Sequence, residues 1–246
     1  MMKVTEKLAG RCRDFRAYRP AVIVCLGDSV THGCFEMTTL PDGRWETTLR
    51  PHEGYAARLQ KKLNALYPAA APCVMDAGIS GDSAKGGLDR LERDVLSLKP
   101  DLVIVNFGLN DSGNDDVEGG LKAYAANMAT IFDKVLATGA ECMLLTPNRM
   151  CAYVPAGIHK EELRAIAKKC THTQNDGILT RYVEAAKAEA QARHMPVADA
   201  YAKWQAMDRC GVDTTAMLCN DINHPTPEAH GIFVEAIIQQ MLEGGN

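Results

Sequence analysis

The 246-residue chain is short of several things, and each shortage removes a class of protein. No apolar run approaches the ~18 residues that cross a bilayer, so the sequence offers no transmembrane helix and predicts no membrane partner. Positive charge is not in excess. With 27 Lys and Arg against 31 Asp and Glu, the net charge is −4, and no basic field draws the chain to nucleic acid. There is no C-x-x-C pair, and the nine cysteines are odd in number, so neither a zinc spacing nor a complete disulfide framework is written here. Cys25, Cys73 and Cys142 lie inside apolar runs and read as small core residues. This cysteine usage predicts a reducing compartment, the cytoplasm. The opening stretch MMKVTEKLAGRCRDFRAYRP has basic residues but no apolar h-region, so no secretory signal is predicted. No repeat, low-complexity tract or compositional break divides the chain. Residues 1–246 therefore read as one domain, with 1–19 as an N-terminal extension.

The chain does have the means to build a core: 46% of its residues are hydrophobic and 24% charged. Five short apolar runs stand out, at Ala21–Leu26, Pro72–Ala77, Asp101–Phe107, Glu141–Thr146 and Met195–Ala198. The middle ones are continuous rather than alternating, the mark of strands buried on both faces of a parallel sheet. Helical spacing fills the intervals: Tyr55, Leu59, Leu63, Leu66; then Leu88, Leu91, Val95, Leu98; then Tyr124, Met128, Ile131, Val135; then Ile178, Tyr182, Val183, Ala186. A final helix is predicted from about Pro227 to Leu242. Regular alternation of strand and helix predicts a doubly wound α/β domain. Two stretches, 32–53 and 148–176, are irregular apart from a helical patch at Lys160–Lys169. Excursions of that length in an α/β fold usually border a site.

Ligands of open α/β sheets bind beyond the carboxyl ends of the strands. There the sequence places Gly27-Asp28-Ser29, then DAGISGDSA with Gly81, FGLNDSGND with Asn110, TPNR, and finally NDINHP with Asp221 and His224 before the last helix. A neutral serine is a weak nucleophile that needs a base. His224 suits that role for Ser29. Asp221, three residues earlier, is expected to reach the imidazole and fix its tautomer. The N–H groups of Ser29 and Gly81 and the side-chain amide of Asn110 are donors suited to a developing oxyanion. With strand order 2-1-3-4-5, strand one carries the serine between the strands carrying the other two donors. Asp28 is expected to shape the turn, without a proton-transfer role.

The blocks GDSVT, AGISGDS, GLND and DINH, in this order and across nearly the whole chain, resemble the SGNH hydrolase superfamily, specifically the GDSL-type esterase/lipase family. The resemblance implies a flavodoxin-like three-layer α/β/α sandwich and no cofactor or metal. It also implies Ser29 as nucleophile, His224 as base, Asp221 as the orienting acid, and Ser29, Gly81 and Asn110 as the oxyanion hole. The chain departs from the family in carrying Asp76 where Asn often precedes the second block, and in a 32–53 stretch longer than in compact members. It lacks the G-x-S-x-G elbow of α/β-hydrolases, because position 31 is Thr.

Two rival functions use the same residues. A two-metal phosphoesterase would draw on Asp28, Asn110, Asp111 and His224, but the spacing is poor. A silent binding protein would leave the full catalytic set idle. For the substrate, the irregular stretches offer Thr38, Thr39, Asp42, Arg44, Trp45, Glu46, Arg50, Asn148, Arg149, Tyr153 and Lys160 rather than a broad apolar mouth. Hydrogen-bonding groups suit a small-molecule or oligosaccharide ester, in particular an O-acetyl group on a carbohydrate. Trp45 is the candidate to stack on a sugar ring. A lysophospholipase or thioesterase is the alternative. His32 reads as a rim residue and His230 as packing or helix surface.

Overall fold

A computed structural model describes residues 2–243. In chain order the strands are β1 (Val22–Gly27), β2 (Cys34–Thr39), β3 (Trp45–Leu49), β4 (Cys73–Gly78), β5 (Leu102–Asn106), β6 (Glu141–Leu145) and β7 (Val197–Ala198). Five of them form a parallel sheet in the order β4-β1-β5-β6-β7. Counted among the strands of this sheet alone, that is the expected 2-1-3-4-5. The labels differ because β2 and β3 form a separate antiparallel ribbon within the first excursion.

Successive strand residues point to opposite faces, and the core divides accordingly. Ile23, Cys25 and Ile104 face one cluster, where they meet Leu59 and Leu63 of α2 (Tyr55–Leu66) and Phe233 and Ile237 of α9 (His230–Glu243). Val24, Leu26, Val103 and Val105 face the other, with Met128 and Ile131 of α5 (Val117–Ala137) and Tyr182 of α7 (Ile178–Ala192). The result is three layers, helix on sheet on helix. A third cluster, Cys151, Ile158, Ala167, Trp204, Leu218 and Ile222, lies under the loops at the carboxyl ends of the strands. It ties the 148–176 excursion to the segment leading into His224.

Several sequence expectations change. Residues 3–13 form a helix, α1 (Lys3–Arg13), whose Val4 and Leu8 are buried in the first cluster. The Lys3 and Val4 N–H groups donate to the Glu141 carboxylate at 2.8 Å each, which satisfies two donors that a helix start leaves open. The single helix expected through Leu88–Leu98 is broken into α3 (Ala84–Asp89), α4 (Leu91–Asp94) and one 3₁₀ turn (Leu96–Leu98). The chain bends at Arg90 (φ −101°, ψ 2°), whose side chain has other work. Cys73 is exposed, because it opens β4 at the sheet edge. The second excursion holds a longer helix than its patch suggested, α6 (Glu161–Asn175), and α8 (Ala200–Arg209) was not evident in the periodicity. The last helix begins at His230 rather than Pro227. No helix among the described residues is long and apolar enough to cross a membrane, and all nine cysteines are free.

Candidate active site

The β1 strand ends in a turn with no room for a side chain. A Cβ on Gly27 would sit 2.0 Å from Thr31 Oγ1 and 2.7 Å from the Asn106 carbonyl oxygen, so only glycine fits. Beyond it, Asp28 Oδ1 accepts the Val30 N–H at 3.0 Å and the Asp28 carbonyl accepts the His32 N–H at 3.0 Å. The Cys34 N–H donates to the Ser29 carbonyl at 3.0 Å. Ser29 is thereby fixed on both sides, with its side chain the free element of the turn.

His224 arrives on a loop crimped by one side chain. Asn220 Oδ1 accepts three backbone N–H groups, from Ile222 at 3.0 Å, Asn223 at 2.9 Å and His224 at 2.8 Å. This is the local bonding that Asn offers a turn. His224 Nε2 lies 3.1 Å from Ser29 Oγ, within the reach a base needs to activate a hydroxyl. Both residues are only 4% exposed. Burial lowers the His224 pKa from its ordinary value, only partly opposed by a backbone hydrogen bond to Phe35, so the imidazole is neutral and able to accept a proton near pH 7.

Asp221 is not where the sequence put it. His224 Nδ1 sits 2.9 Å from the Phe35 carbonyl oxygen, and no hydrogen bond or ion pair joins it to Asp221. The Asp221 backbone is left-handed (φ 61°), and its carboxylate turns toward the second excursion, with Oδ2 3.9 Å from where a Cβ on Gly157 would lie. The three-residue spacing allowed a reach to the imidazole, but the left-handed turn at Asp221 aims the side chain elsewhere.

Of the expected oxyanion donors, Gly81 and Asn110 lie near one another on the rim, because Asn110 bonds the carbonyl of Asp82. Among the described residues, neither the Ser29 nor the Gly81 N–H donates to another protein group. Gly81 has φ +78° with open space around its α-carbon, so backbone conformation rather than crowding calls for glycine. Asn110 Nδ2 donates one hydrogen to the Asp82 carbonyl at 2.7 Å, which orients the amide and leaves its second hydrogen free.

Sequence reasoning missed the groups that hold this rim in register. The buried Arg90 guanidinium donates to the Gly27 carbonyl at 2.9 Å, the Ala77 carbonyl at 2.6 Å and Asp82 Oδ2 at 2.7 Å. One side chain therefore ties the end of β1, the end of β4 and the Gly81 loop. His32, expected to be an idle rim residue, accepts the Ser80 N–H on Nδ1 at 3.1 Å and so tethers the same loop. His230 is buried packing: its Nδ1 accepts the Tyr55 N–H at 3.0 Å, and burial pulls its pKa down to about 3. Trp45 is half exposed at the outer end of the ribbon, opposite Thr39. At ~3.4 Å per residue it stands roughly 17 Å along the strand from Cys34.

Next to the serine lies the buried acid Asp28, with the half-buried Asp111 within reach of its charge. Burial raises the Asp28 pKa to about 7, with smaller pushes from Asp111 and Asp82, and burial raises Asp111 to about 6. Asp28 Oδ2 has no partner among the described residues. Asp28 thus holds its proton more tightly folded than unfolded, where its value is 3.8. Its contribution to stability is full below about pH 4 and is lost as pH rises through about 7. Thermal melts of Asp28→Asn and the parent from pH 4 to 8 should show the difference moving against the parent up to pH 7 and flat above it. Parallel curves would contradict this.

The fold agrees with that of the proteins the chain resembles. The profile of the GDSL-like Lipase/Acylhydrolase family matches residues 25–232. Among curated proteins, Esterase TesA of Pseudomonas aeruginosa is 36% identical over 110 residues, 42% of this chain and 51% of that protein. The Acetylxylan esterase of Geobacillus stearothermophilus is 40% identical over 58 residues, 24% of this chain and 26% of that protein. The chain thus matches about half, or about a quarter, of these relatives' lengths. Among solved structures, the acetylxylan esterase Axe2 from Geobacillus stearothermophilus superposes with a TM-score of 0.66 at 20% identity, covering 90% of this chain and 94% of that one, which speaks to the fold. With its family profile spanning most of the chain, and the serine and histidine in contact at the end of β1, this chain belongs to the GDSL-like lipase/acylhydrolase family.

Proposed function

We propose that the chain is a serine esterase that removes a short acyl group, an O-acetyl, from a carbohydrate by way of an acyl-enzyme. The observation that carries the esterase reading is the 3.1 Å contact between Ser29 Oγ and His224 Nε2. Ser29 Oγ attacks the ester carbon while His224 Nε2 takes its proton. The carbonyl electron pair moves to oxygen, which the N–H groups of Ser29 and Gly81 and the free hydrogen of Asn110 receive. One such donor is worth about 3–4 kcal/mol of barrier. As the intermediate collapses, His224 returns the proton to the leaving alcohol and the acyl group stays on Ser29. A water then attacks the acyl carbon, giving its proton to His224, which passes it to Ser29 Oγ as the carboxylic acid leaves.

The acetyl-on-sugar reading rests on less. Ser29 and His224 are almost covered, which suits a small acyl group. The neighbouring loop is polar: Ser80 (tethered to His32), Asp82 and Asn110. The acetylxylan esterase likeness points the same way. A second reading, hydrolysis of longer acyl chains, is favoured by the likeness to TesA. Rates on p-nitrophenyl esters from acetate to octanoate, with Ser29→Ala as background, separate the two. A steep preference for acetate is expected. Activity that climbs with chain length would overturn the acetyl reading in favour of a lysophospholipase or thioesterase.

A further inference from the structure

We infer that the third member of the catalytic arrangement is the backbone carbonyl of Phe35, and that Asp221 takes no part in orienting His224. This rests on the serine-esterase reading above and specifies how its base is prepared.

A carbonyl oxygen can only accept, so the 2.9 Å contact from His224 Nδ1 requires the hydrogen to be on Nδ1. Nε2 then carries the lone pair, 3.1 Å from Ser29 Oγ, which is the tautomer a base needs. A carboxylate normally fixes that tautomer. Here a neutral dipole does so, built into the chain rather than borne on a side chain.

The ribbon is shaped to offer this carbonyl. Cys34 pairs with Leu49 and Met37 with Thr47, so three steps along β2 answer two along β3. The slip of one residue falls on Phe35 and Glu36, a bulge that takes backbone groups out of the ladder. The bulge is held from several sides. The Phe35 ring is fully buried, 5.1 Å from the ring of His230, with the Arg50 guanidinium 4.6 Å over it. Arg50 also forks onto Glu36 at 2.6 and 2.8 Å and reaches Glu53 at 2.6 Å. The adjoining Cys34 N–H holds the Ser29 carbonyl. Two consecutive residues, Cys34 and Phe35, therefore bond the nucleophile's backbone and the base's imidazole, and set the distance between them.

Asp221, by contrast, occupies a left-handed position at φ 61° that glycine or asparagine adopts with less strain. Its charge is felt on the far side, where it adds to the effect of burial in raising the Cys151 thiol.

The test compares hydrolysis of p-nitrophenyl acetate by the parent, Ser29→Ala, Asp221→Asn and Asp221→Gly, each checked for an intact thermal melt. The expected result is that both Asp221 variants keep kcat/KM within tenfold of the parent, with Asp221→Gly melting at or above it. Removing the acid of a working triad costs about 10⁴-fold in kcat. A loss beyond tenfold in either folded Asp221 variant, with Ser29→Ala inactive, overturns the role given to Phe35. Hydrolysis that survives in Ser29→Ala is a different result: it removes the serine-esterase reading, and the orienting role with it.

Discussion

Replacing Ser29 by alanine should lower kcat by about 10⁴-fold or more while leaving the protein folded. The expectation of an intact fold is specific. The Ser29 hydroxyl bonds only His224 among the described residues, while the turn is held by backbone groups and by Asp28, Cys34 and Arg90. Removing the hydroxyl opens no orphan in the turn, so thermal melts of parent and variant should coincide. The loss should also be non-additive. Once the nucleophile is gone the base has nothing to activate, so Ser29→Ala combined with His224→Ala should be about as slow as either alone. A double variant slower by the product of the two single losses would mean the residues act independently, contrary to the 3.1 Å contact.

Replacing Arg90 by methionine should have the largest effect on stability. The guanidinium is buried, and its loss would leave Asp82 without its cation and the Gly27 and Ala77 carbonyls without this donor. Breaking a buried pair from one side costs about 3–5 kcal/mol. In a chain of this size that is roughly a 6–20 °C fall in melting temperature. Because Arg90 grips Asp82, whose carbonyl orients Asn110, surviving activity should drop in kcat more than in KM. Arg90→Lys should recover little, since an ammonium cannot span three acceptors as the planar fork does. Calorimetry of the two variants checks this. A melt within 2 °C of the parent for Arg90→Met, about the least that 1 kcal/mol would produce, would show that the rim is held by other means.

The parts of this site that the sequence disclosed are those in which chemistry sits on a side chain at the end of a patterned element. Continuous apolar runs made β1, β5 and β6 plain, and with them where Ser29 and Asn110 would emerge. The edge strand β4 was plain too, but its exposure was not, because a run such as Pro72–Ala77 does not say whether a neighbour covers its outer side. The helix through Leu88–Leu98 was misread because spacing cannot register that Arg90 leaves the helix to serve three loops. The partner of His224 was hidden for a deeper reason. A backbone carbonyl has no letter of its own, and the bulge that presents it depends on how β2 and β3 pair. The D-x-x-H spacing made an acid–histidine contact sterically possible, and only the left-handed turn at Asp221 decides that the carboxylate points away.

The central claim is that Ser29 is a nucleophile activated by His224. The most direct measurement is the intact mass, and the mass of the Ser29 peptide, after incubation with a fluorophosphonate. The account predicts one phosphonyl adduct per chain, on Ser29, formed far more slowly in His224→Ala and absent in Ser29→Ala. An unmodified Ser29 in a preparation that still hydrolyses p-nitrophenyl acetate would contradict it.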